Sequence, residues 1–354
     1  MASHINPTDA TSLINDHVVT TRSSKTPGCI LSLPTRTEIQ ACWELCRLHN
    51  NIGFWVVWLP TAWSIAMVYH AQAELSWIEA TSRAAVYVPL CFGIKSLIMT
   101  IDDILDSDID GLVERTKNRA LPRGAITQMR AWVFFYLQVA IGICLAITYL
   151  SPAAQVPVVT FYHSPTDGFI RLRVSILVWP LYVIYPTCKR WTNLAPIPLG
   201  LMFKVGIFMG WCDLTLDGTI PWATLLPIYI GACMWTITYE TVYQHQDKLD
   251  DIKIGLHSAA LLCREYTIPI CTFTALTFLG LMAYGGVLNN QGVPYFAALI
   301  CAGVLLLPRL LQTNIDRPED CRTLFLGTPL IGQVILGGLV IDAVVHRLNS
   351  GISL

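Results

Sequence analysis

The stretch GFWVVWLPTAWSIAMVYHA, residues 53–71, contains no Asp, Glu, Lys or Arg. A helix needs about 20 mainly apolar residues to cross the ~30 Å hydrocarbon layer of a membrane, and this stretch has that length. Runs of the same kind recur along the chain, at residues 53–71, 84–103, 131–150, 172–187, 195–212, 221–243, 265–286, 293–311 and 324–345. They lack the alternating pattern of a membrane β-barrel. We therefore predict an all-α, polytopic membrane protein with about nine transmembrane helices.

The composition agrees with a membrane protein. Of 354 residues, 54% are hydrophobic and only 13% are charged, whereas soluble domains carry about 25% charged residues. The net charge of −1 gives no basic field for nucleic acid, so we expect the lipid bilayer and no nucleic acid among its partners. The 12 cysteines form no CxxC pair and fall mostly in apolar runs, which indicates buried small side chains.

The first part of the chain differs from the rest. We predict a flexible polar cytosolic tail over residues 1–45 and the transmembrane domain over 46–350, because Ser, Thr, Asp and Asn are frequent before the first apolar run. The tail lacks an apolar core of signal-peptide length. Asp9 and Asp16 are atypical of a mitochondrial presequence, which avoids acidic residues.

Basic residues follow the even-numbered predicted helices, and few occur in the opposite loops. Arg115, Lys189, Lys248 and Arg309 are examples from four of these loops. Because Lys and Arg are enriched on the cytoplasmic side of membranes, we place the N-terminus and the even-numbered loops in the cytosol. We expect a multi-pass protein of the endoplasmic reticulum with its site facing the cytosol.

Two acidic clusters follow predicted helices on that same side, DDILDSDID at residues 102–110 and DKLDD at residues 247–251. On a helix each cluster puts carboxylates on one face: Asp103, Asp106 and Asp110 in the first, Asp247 and Asp251 in the second. Stacked carboxylates repel one another unless a cation lies between them, and Mg²⁺ prefers one or two carboxylates together with phosphate oxygens.

Solvated helix ends are the simpler interpretation of these clusters. Two matched clusters on one side, each with basic residues close by, favour a site for Mg²⁺ and a diphosphate instead. In lipid such charges would cost about 2.5–3.5 kcal/mol each, so they must face a cavity or the cytosolic interface.

The residues around both clusters resemble the UbiA superfamily of intramembrane prenyltransferases. DDILDSDIDGLVERTKNRALPRG, residues 102–124, is similar to its NDxxDxxxD motif and the following RTxxRPLPxG stretch. YETVYQHQDKLDDIKIGLHSAA, residues 239–260, is similar to its YDxxYAxQDxxDDxxxGxxS block. YPTCKRWTNLAPIPLG, residues 185–200, is similar to YPxxKRxTxxPQxxLG. The likeness covers most of residues 47–260 and is closest in look to fungal meroterpenoid enzymes.

The resemblance implies a helical bundle around a central, lipid-accessible cavity that holds a prenyl diphosphate. It implies that two Mg²⁺ ions are held by Asp103, Asp106, Asp110, Asp247 and Asp251, with Asp103, Asp106, Asp247 and Asp251 counted as catalytic. The implied substrate-binding residues are Asp102, Arg115, Arg119, Lys189, Arg190, Tyr185, Tyr239, Tyr243 and Lys248. The tyrosines offer cation–π contact to an allylic cation, although packing is the simpler role for each. Glu240, or an unliganded acid such as Asp250, is a candidate general base.

The sequence departs from the family pattern at several positions. Asp102 stands for Asn and Ala120 for Pro, and Ile197, Glu240 and Gln244 stand for Gln, Asp and Ala. We expect Mg²⁺-dependent transfer of a prenyl group, with farnesyl as the expected donor group, to an aromatic or pyrone polyketide acceptor in meroterpenoid or other secondary metabolism. The last three departures motivate an alternative, a membrane terpene cyclase without a separate acceptor. A transporter or channel with acidic rings is a third hypothesis.

Four further features have competing interpretations. Lys204 lies within a predicted span, where a charge is costly. The sequence leaves three roles open for it: contact with the substrate, pairing with an acidic residue, or extension of its side chain to the membrane interface. His245 is expected to form a structural hydrogen bond rather than to act as a base. Asp342 is expected at the membrane interface. The pairs Gly285–Gly286 and Gly337–Gly338 are expected to serve close helix packing.

Overall fold

Most of the described chain is helical, and the long helices coincide with the apolar runs of the sequence. The computed structural model describes residues 33–150, 173–215 and 219–354, and these contain no β-strand. The helices, which we number in chain order, are α1 (Arg36–Leu45), α2 (Ile52–Ala71), α3 (Trp77–Leu105), α4 (Ser107–Asp110), α5 (Gln128–Tyr149), α6 (Arg173–Thr187), α7 (Pro196–Lys204), α8 (Gly206–Cys212), α9 (Trp222–Gln244), α10 (Lys248–Ile254), α11 (Ala259–Cys263), α12 (Thr267–Leu288), α13 (Val293–Gln312), α14 (Pro318–Leu326) and α15 (Thr328–Asn349).

The packed neighbours form a closed circuit. α2 packs on α3, and contacts then run through α6, α7, α9, α12, α13 and α15 back to α2. α8 packs against α2, and α5 lies outside the circuit against α3. Aromatic side chains fill the centre, where Trp63, Trp235 and Phe278 stack on one another with centroids 5.5–6.5 Å apart. The circuit leaves a cavity at one end of the bundle, which positions the site.

Each of the nine predicted runs overlaps a helix, but their number as membrane crossings is not confirmed. Within the described part of the chain, six helical stretches are long and apolar enough to cross a membrane. They are Ile52–Ala71, Trp77–Leu105, Gln128–Tyr149, Ala259–Leu288, Val293–Gln312 and Pro318–Asn349. The run predicted over 195–212 is two short helices, Pro196–Lys204 and Gly206–Cys212, instead of one.

The predicted flexible tail is partly helical. Residues 1–32 lie outside the described residues, whereas residues 36–45 form α1. The helix begins at a capping box, in which Thr35 and Glu38 bond each other's backbone N–H groups. Leu45 is fully buried, so α1 packs against the rest of the described chain.

Lys204 ends α7 and has a structural contact. Its Nζ donates to the carbonyl oxygen of Val56 at 2.7 Å. In a regular helix that carbonyl would accept from residue 60, but Pro60 has no N–H to donate. Lys204 is fully buried and thus replaces a hydrogen bond that the proline of α2 removes.

Buried polar contacts close the opposite end of the bundle. The guanidinium of the fully buried Arg347 donates to the carbonyl oxygens of Tyr69 at 2.8 Å and Gln72 at 2.6 Å, which satisfies carbonyls at the end of α2. Asp342 accepts from the N–H of Gly292 at 2.8 Å and lies 3.6 Å from His70. Only 2% of Asp342 is exposed, so its side chain is buried within the bundle.

Candidate active site

The two acidic motifs lie together at one end of the bundle. The Nε of Arg115, which follows the first motif, donates to Oδ1 of Asp247 in the second at 2.8 Å, although the residues are 132 positions apart in sequence. A second bond joins Nη2 to Oδ2 of the same carboxylate. The backbone N–H of Glu114 also donates to Asp250 at 3.3 Å. Both motifs therefore belong to one site.

A cavity of about 210 Å³ lies between the motifs. The predicted site residues that line it are Asp102, Asp110, Arg115, Arg119, Tyr185, Lys189, Tyr239, Glu240, Tyr243, Asp247 and Asp251. Asp103 and Asp106 lie beside this lining and are buried in ion pairs. The cavity continues past aliphatic and aromatic side chains, among them Leu199, Phe203 and Phe325. One end of the cavity is thus charged and the other apolar.

Two arginines neutralise the first motif. Arg119 Nη1 lies 2.6 Å from Asp110 Oδ2 and 3.1 Å from Asp103 Oδ1. Arg47 Nη2 lies 2.6 Å from the same oxygen of Asp103 and 3.5 Å from Asp102. Burial raises the pKa of Asp110, and the Arg119 guanidinium opposes that shift. The carboxylates are held close together because cations lie between them.

Asp106 is the most buried acid of the site. Its side chain is fully buried and pairs with Lys189 Nζ at 2.6 Å, while its Oδ1 has no hydrogen-bond partner within the described residues. Burial, with the nearby Asp102 carboxylate, raises the pKa of Asp106 to about 8. The Asp106 carboxylate in turn raises the pKa of Lys189 against the effect of burial. A buried oxygen without a donor is a feature that a cation could satisfy.

The second motif presents Asp247 and Asp251 one helical turn apart at the start of α10. Asp251 is 9% exposed, and burial followed by the Asp247 carboxylate raises its pKa to about 6. Gly255 ends α10 with φ of +77°, a left-handed conformation that favours glycine. This turn directs Leu256, His257 and Ser258 back over the cavity, which they help to line.

The donor set fits Mg²⁺ in chemistry. Carboxylate oxygens of both motifs face the same space, and oxygen is the ligand that Mg²⁺ prefers. As the side chains stand, no group of three or more acidic, His or Cys residues in the described ranges is arranged to hold a metal ion. The reason is that Arg47, Arg115, Arg119 and Lys189 occupy the carboxylates in ion pairs.

Glu240 and three tyrosines lie where the charged end meets the apolar end. Glu240 lines the cavity and is 9% exposed. Tyr243 packs on Phe325 with ring centroids 4.2 Å apart, and Arg115 lies over its ring at 5.8 Å. Tyr185 and Tyr239 line the same wall. The three tyrosines and the Glu240 carboxylate therefore line the same cavity as the basic and acidic residues that are candidates for binding a diphosphate.

Two predicted substrate-binding residues lie away from the lining. Arg190 forms a bidentate pair with Asp108, with N–O distances of 3.0 and 2.7 Å. Lys248 pairs with Asp316 and donates to the carbonyl oxygen of Ile315 at 3.3 Å. Both side chains therefore bind surface partners in this structure, and neither lines the cavity.

Two of the departures from the family pattern lie in different places: Gln244 lines the active-site cavity, whereas Ile197 does not. Ile197 is 41% exposed and does not line the cavity. Gln244 Oε1 accepts from the backbone N–H of Ala259 at 2.7 Å and so fixes the start of α11. His245 Nε2 lies 2.8 Å from Thr267 Oγ1, which agrees with the expected structural hydrogen bond.

Sequence reasoning missed two basic residues of the site, Arg47 as a partner of the first motif and Lys95. Lys95 is 1% exposed, lines the cavity, and its Nζ donates to the carbonyl oxygens of Cys46 and Arg47 at 2.8 and 2.7 Å. The signal was present, because Lys95 is a lone cation inside an apolar run, where an unpaired charge is costly.

Comparisons with known proteins agree with the geometry. The UbiA prenyltransferase family matches residues 57–331 of the chain. The mitochondrial 4-hydroxybenzoate polyprenyltransferase of Drosophila pseudoobscura pseudoobscura is 36% identical over 326 residues, which cover 90% of this chain and 74% of that protein. UbiA prenyltransferase claS of Ampulloclitocybe clavipes is 32% identical over 308 residues, covering 86% of this chain and 92% of that protein.

A solved structure shares the fold. A UbiA homologue from Archaeoglobus fulgidus bound to GPP and Mg²⁺ superposes with a TM-score of 0.59 at 14% identity, and covers 86% of this chain and 99% of its own. The family match spans most of the chain and includes both acidic motifs that meet at the cavity. The chain is a multi-pass membrane prenyltransferase and belongs to the UbiA prenyltransferase family.

Proposed function

We propose that the protein transfers a prenyl group, farnesyl in our prediction, from its diphosphate to an aromatic or pyrone acceptor in the charged cavity. The observation that carries this proposal is the meeting of both motifs, with Arg115 of one bonded to Asp247 of the other at 2.8 Å. A ligand between them would be in reach of carboxylates and guanidinium groups at once, and the apolar end of the cavity suits an isoprenoid chain.

The cations of the site have a direct role toward the diphosphate. Arg115, Arg119 and Lys189 are now paired with carboxylates at 2.5–2.6 Å. A diphosphate gives them an alternative set of anionic oxygens, and the planar guanidinium suits two of these at once. These cations then stabilise the charge that develops on the departing diphosphate, and such stabilisation is the main catalytic effect expected of the site.

The carboxylates released from those pairs are the proposed ligands of Mg²⁺, namely Asp103, Asp106, Asp110, Asp247 and Asp251. When bound, Mg²⁺ supplies Lewis-acid neutralisation of the diphosphate oxygens. Support comes from the all-oxygen donor set around one cavity, from the free Oδ1 of the buried Asp106, and from the A. fulgidus homologue that was solved with GPP and Mg²⁺. Asp102 lines the cavity beside these ligands and is a proposed contact of the diphosphate end.

Glu240 is the proposed general base. It lines the cavity, and no ion pair holds it within the described residues. We expect its carboxylate to take the proton that the acceptor loses when the new bond forms. The faces of Tyr185, Tyr239 and Tyr243 are proposed to shield and stabilise the allylic cation before the acceptor attacks it.

The names of the relatives differ in what they say about an acceptor. The D. pseudoobscura relative is named for 4-hydroxybenzoate, whereas the fungal relative carries only the family name. The test is mass spectrometry of products from purified protein, Mg²⁺ and a matrix of prenyl diphosphates with 4-hydroxybenzoate and hydroxylated pyrones. We expect a prenylated acceptor, and conversion of farnesyl diphosphate alone into a hydrocarbon would contradict the proposal and identify a cyclase.

Two variants test whether Glu240 is the general base. We expect Glu240→Gln to lower kcat by about 100-fold, the low end of the range for general-base catalysis, and to leave the KM for the prenyl diphosphate unchanged. Glu114→Gln is the control, because Glu114 is exposed and pairs with Lys117 at 2.7 Å. A kcat for Glu240→Gln equal to that of the control would remove Glu240 from this role.

The organelle is a separate proposal. We propose the endoplasmic reticulum as the organelle, and the distribution of basic loops supports a site that faces the cytosol. The D. pseudoobscura relative, in contrast, is named as mitochondrial. Fluorescence microscopy of the full chain with a C-terminal tag, against markers of both membranes, decides between the two. Overlap with the mitochondrial marker would contradict our proposal.

A further inference from the structure

A second cavity adjoins the active site and is not used by the proposed chemistry. It has a volume of about 500 Å³ and is lined mainly by the end of α11 and by Arg264–Tyr266, the turn that connects α11 to α12. Leu256 and His257 line both this outer cavity and the active-site cavity, so a segment of two residues forms the common wall. A ligand in the outer cavity would therefore lie next to the diphosphate end of the active site.

The wall between the cavities is fixed by its backbone at few points. The N–H of His257 donates to the carbonyl oxygen of Lys189 at 2.8 Å, and the N–H of Ser258 donates to Asn193 Oδ1 at 3.0 Å. Gly255, directly before the wall, has φ of +77° and no atoms within 4 Å of where a Cβ would be. The N–H of Leu256 also donates to the carbonyl oxygen of Asp251 at 2.9 Å, so three backbone N–H groups hold the segment between Gly255 and Ser258, the N-cap of α11.

Arg264 lines the outer cavity in a backbone conformation that arginine disfavours. Its φ is +47° and its ψ is −126°, a region that glycine occupies and other residues avoid. Residues held in such conformations cluster at sites where the side chain has a task that compensates for the strain. Arg264 therefore has a long charged side chain at a position where the backbone conformation favours glycine.

The guanidinium of Arg264 is free to bind an anion. Its Nε donates to the carbonyl oxygen of Leu261 at 3.4 Å, and among the described residues no carboxylate lies within ion-pair distance of it. Glu265 lines the same cavity and does not pair with it. Tyr266 and Leu262 line the cavity too and are 63% and 52% exposed, so an aromatic and an aliphatic surface adjoin the charge.

From these observations we infer that the outer cavity binds the acceptor before it reaches the active site, and that the acceptor carries a carboxylate recognised by Arg264. This inference rests on the proposed aromatic acceptor and makes it more specific. A planar guanidinium pairs with a carboxylate through two parallel bonds, and Tyr266 offers a face to an aromatic ring. Displacement of the Leu256–His257 wall then connects the two cavities.

The experiment is calorimetric binding of 4-hydroxybenzoate and of its methyl ester to the purified full-length protein in detergent, without prenyl diphosphate. The acid and the ester share a ring and differ in charge. We expect the acid to bind about five- to tenfold more tightly than the ester, a difference typical of one charge-assisted pair near the surface. Arg264→Gln and Arg264→Gly should abolish this difference, and Arg264→Lys should keep most of it.

The glycine variant separates binding from folding. Because glycine accepts φ of +47°, Arg264→Gly should unfold at the same temperature as the wild type or at a higher one. Equal binding of acid and ester by the wild type, or a difference that survives in Arg264→Gln, would overturn the inference. Failure of the proposed function has another signature, since the product assay would then give no prenylated acceptor whatever the binding result.

Discussion

Single residues in this protein act through the partner that the fold gives them. His245 shows this clearly: it lies two residues before a proposed ligand, yet its Nε2 is 2.8 Å from Thr267 Oγ1 and only 3% of the residue is exposed. Burial, with the nearby Lys248, lowers the pKa of His245 to about 4. Its role is to join the end of α9 to the start of α12.

A pH-dependent contribution to stability follows for His245. Folded His245 stays neutral down to pH 4, whereas in the unfolded chain it takes up a proton near pH 6.5. The unfolded state then binds more protons, so this part of the stability is complete above pH 6.5 and falls as the pH drops toward 4. We expect the loss of unfolding free energy between pH 7 and pH 5 to be smaller in His245→Gln by up to about 2 kcal/mol. An equal loss in both proteins, measured by chemical unfolding in mixed micelles, would show that His245 is protonated while folded.

Lys204 gives a second prediction for a single residue. Its Nζ donates to the carbonyl oxygen of Val56, which lacks its usual helical donor because residue 60 is a proline. In Pro60→Ala the N–H of residue 60 returns to the Val56 carbonyl. We therefore expect the change in unfolding free energy caused by Lys204→Met to be about 1 kcal/mol less unfavourable in the Pro60→Ala background. Identical effects in both backgrounds would mean that the two residues act independently.

At the scale of elements, glycines set how closely helices approach. In α15 a Cβ on Gly338 would lie 2.2 Å from the Cβ of Ala298 on α13, whereas a Cβ on Gly337 would meet nothing within 4 Å. The packing role expected from the sequence therefore holds for Gly338 and not for its neighbour. Gly285 and Gly286 are equally tight, against Ile228 and Tyr295 at 2.3 Å each.

Alanine substitutions at Gly337 and Gly338 therefore form a matched pair of variants. Gly338→Ala should destabilise the protein by about 1–3 kcal/mol, the usual range for overpacking. Gly337→Ala should be neutral or stabilise it by up to about 1 kcal/mol, because alanine is the better helix former. Thermal unfolding of the two variants in the same detergent measures both, and the reverse order of stability would contradict the α13–α15 packing.

At the scale of the whole molecule, the fold brings together segments that the sequence keeps far apart. The apolar runs predicted the helices, and the spacing of the acids predicted shared faces, because both depend only on local periodicity. The prediction of about nine crossings stays unconfirmed, since six helical stretches of the described chain are long and apolar enough to cross a membrane. The 195–212 run, for example, breaks into two short helices near Lys204. That break, like the buried position of Asp342, depends on contacts with residues distant in the chain, which local pattern does not encode.

The sequence predicted which acids share a helical face, but not which cation each of them pairs with. From their spacing the sequence placed Asp110 and Asp251 among the candidate ligands and left out Asp108 and Asp250, although all four lie in the same acidic runs. The structure separates them: the first two line the cavity, Asp108 pairs outside it with Arg190, and Asp250 pairs with Lys253 at 3.1 Å. Which of these acids lines the cavity follows from the helical face that each occupies, whereas the partner of each acid depends on tertiary packing.

That separation gives the decisive measurement, Mg²⁺-dependent binding of geranyl diphosphate to the full chain and four variants by isothermal titration calorimetry. We predict that Asp110→Asn and Asp251→Asn, one from each motif, each weaken binding by at least about tenfold, since each removes a charge from the shared site. Asp108→Asn and Asp250→Asn should bind as the wild type does. If only one motif affected the affinity, or if the outward-facing pair weakened it as much as the inward-facing pair, the two motifs would not form one diphosphate site.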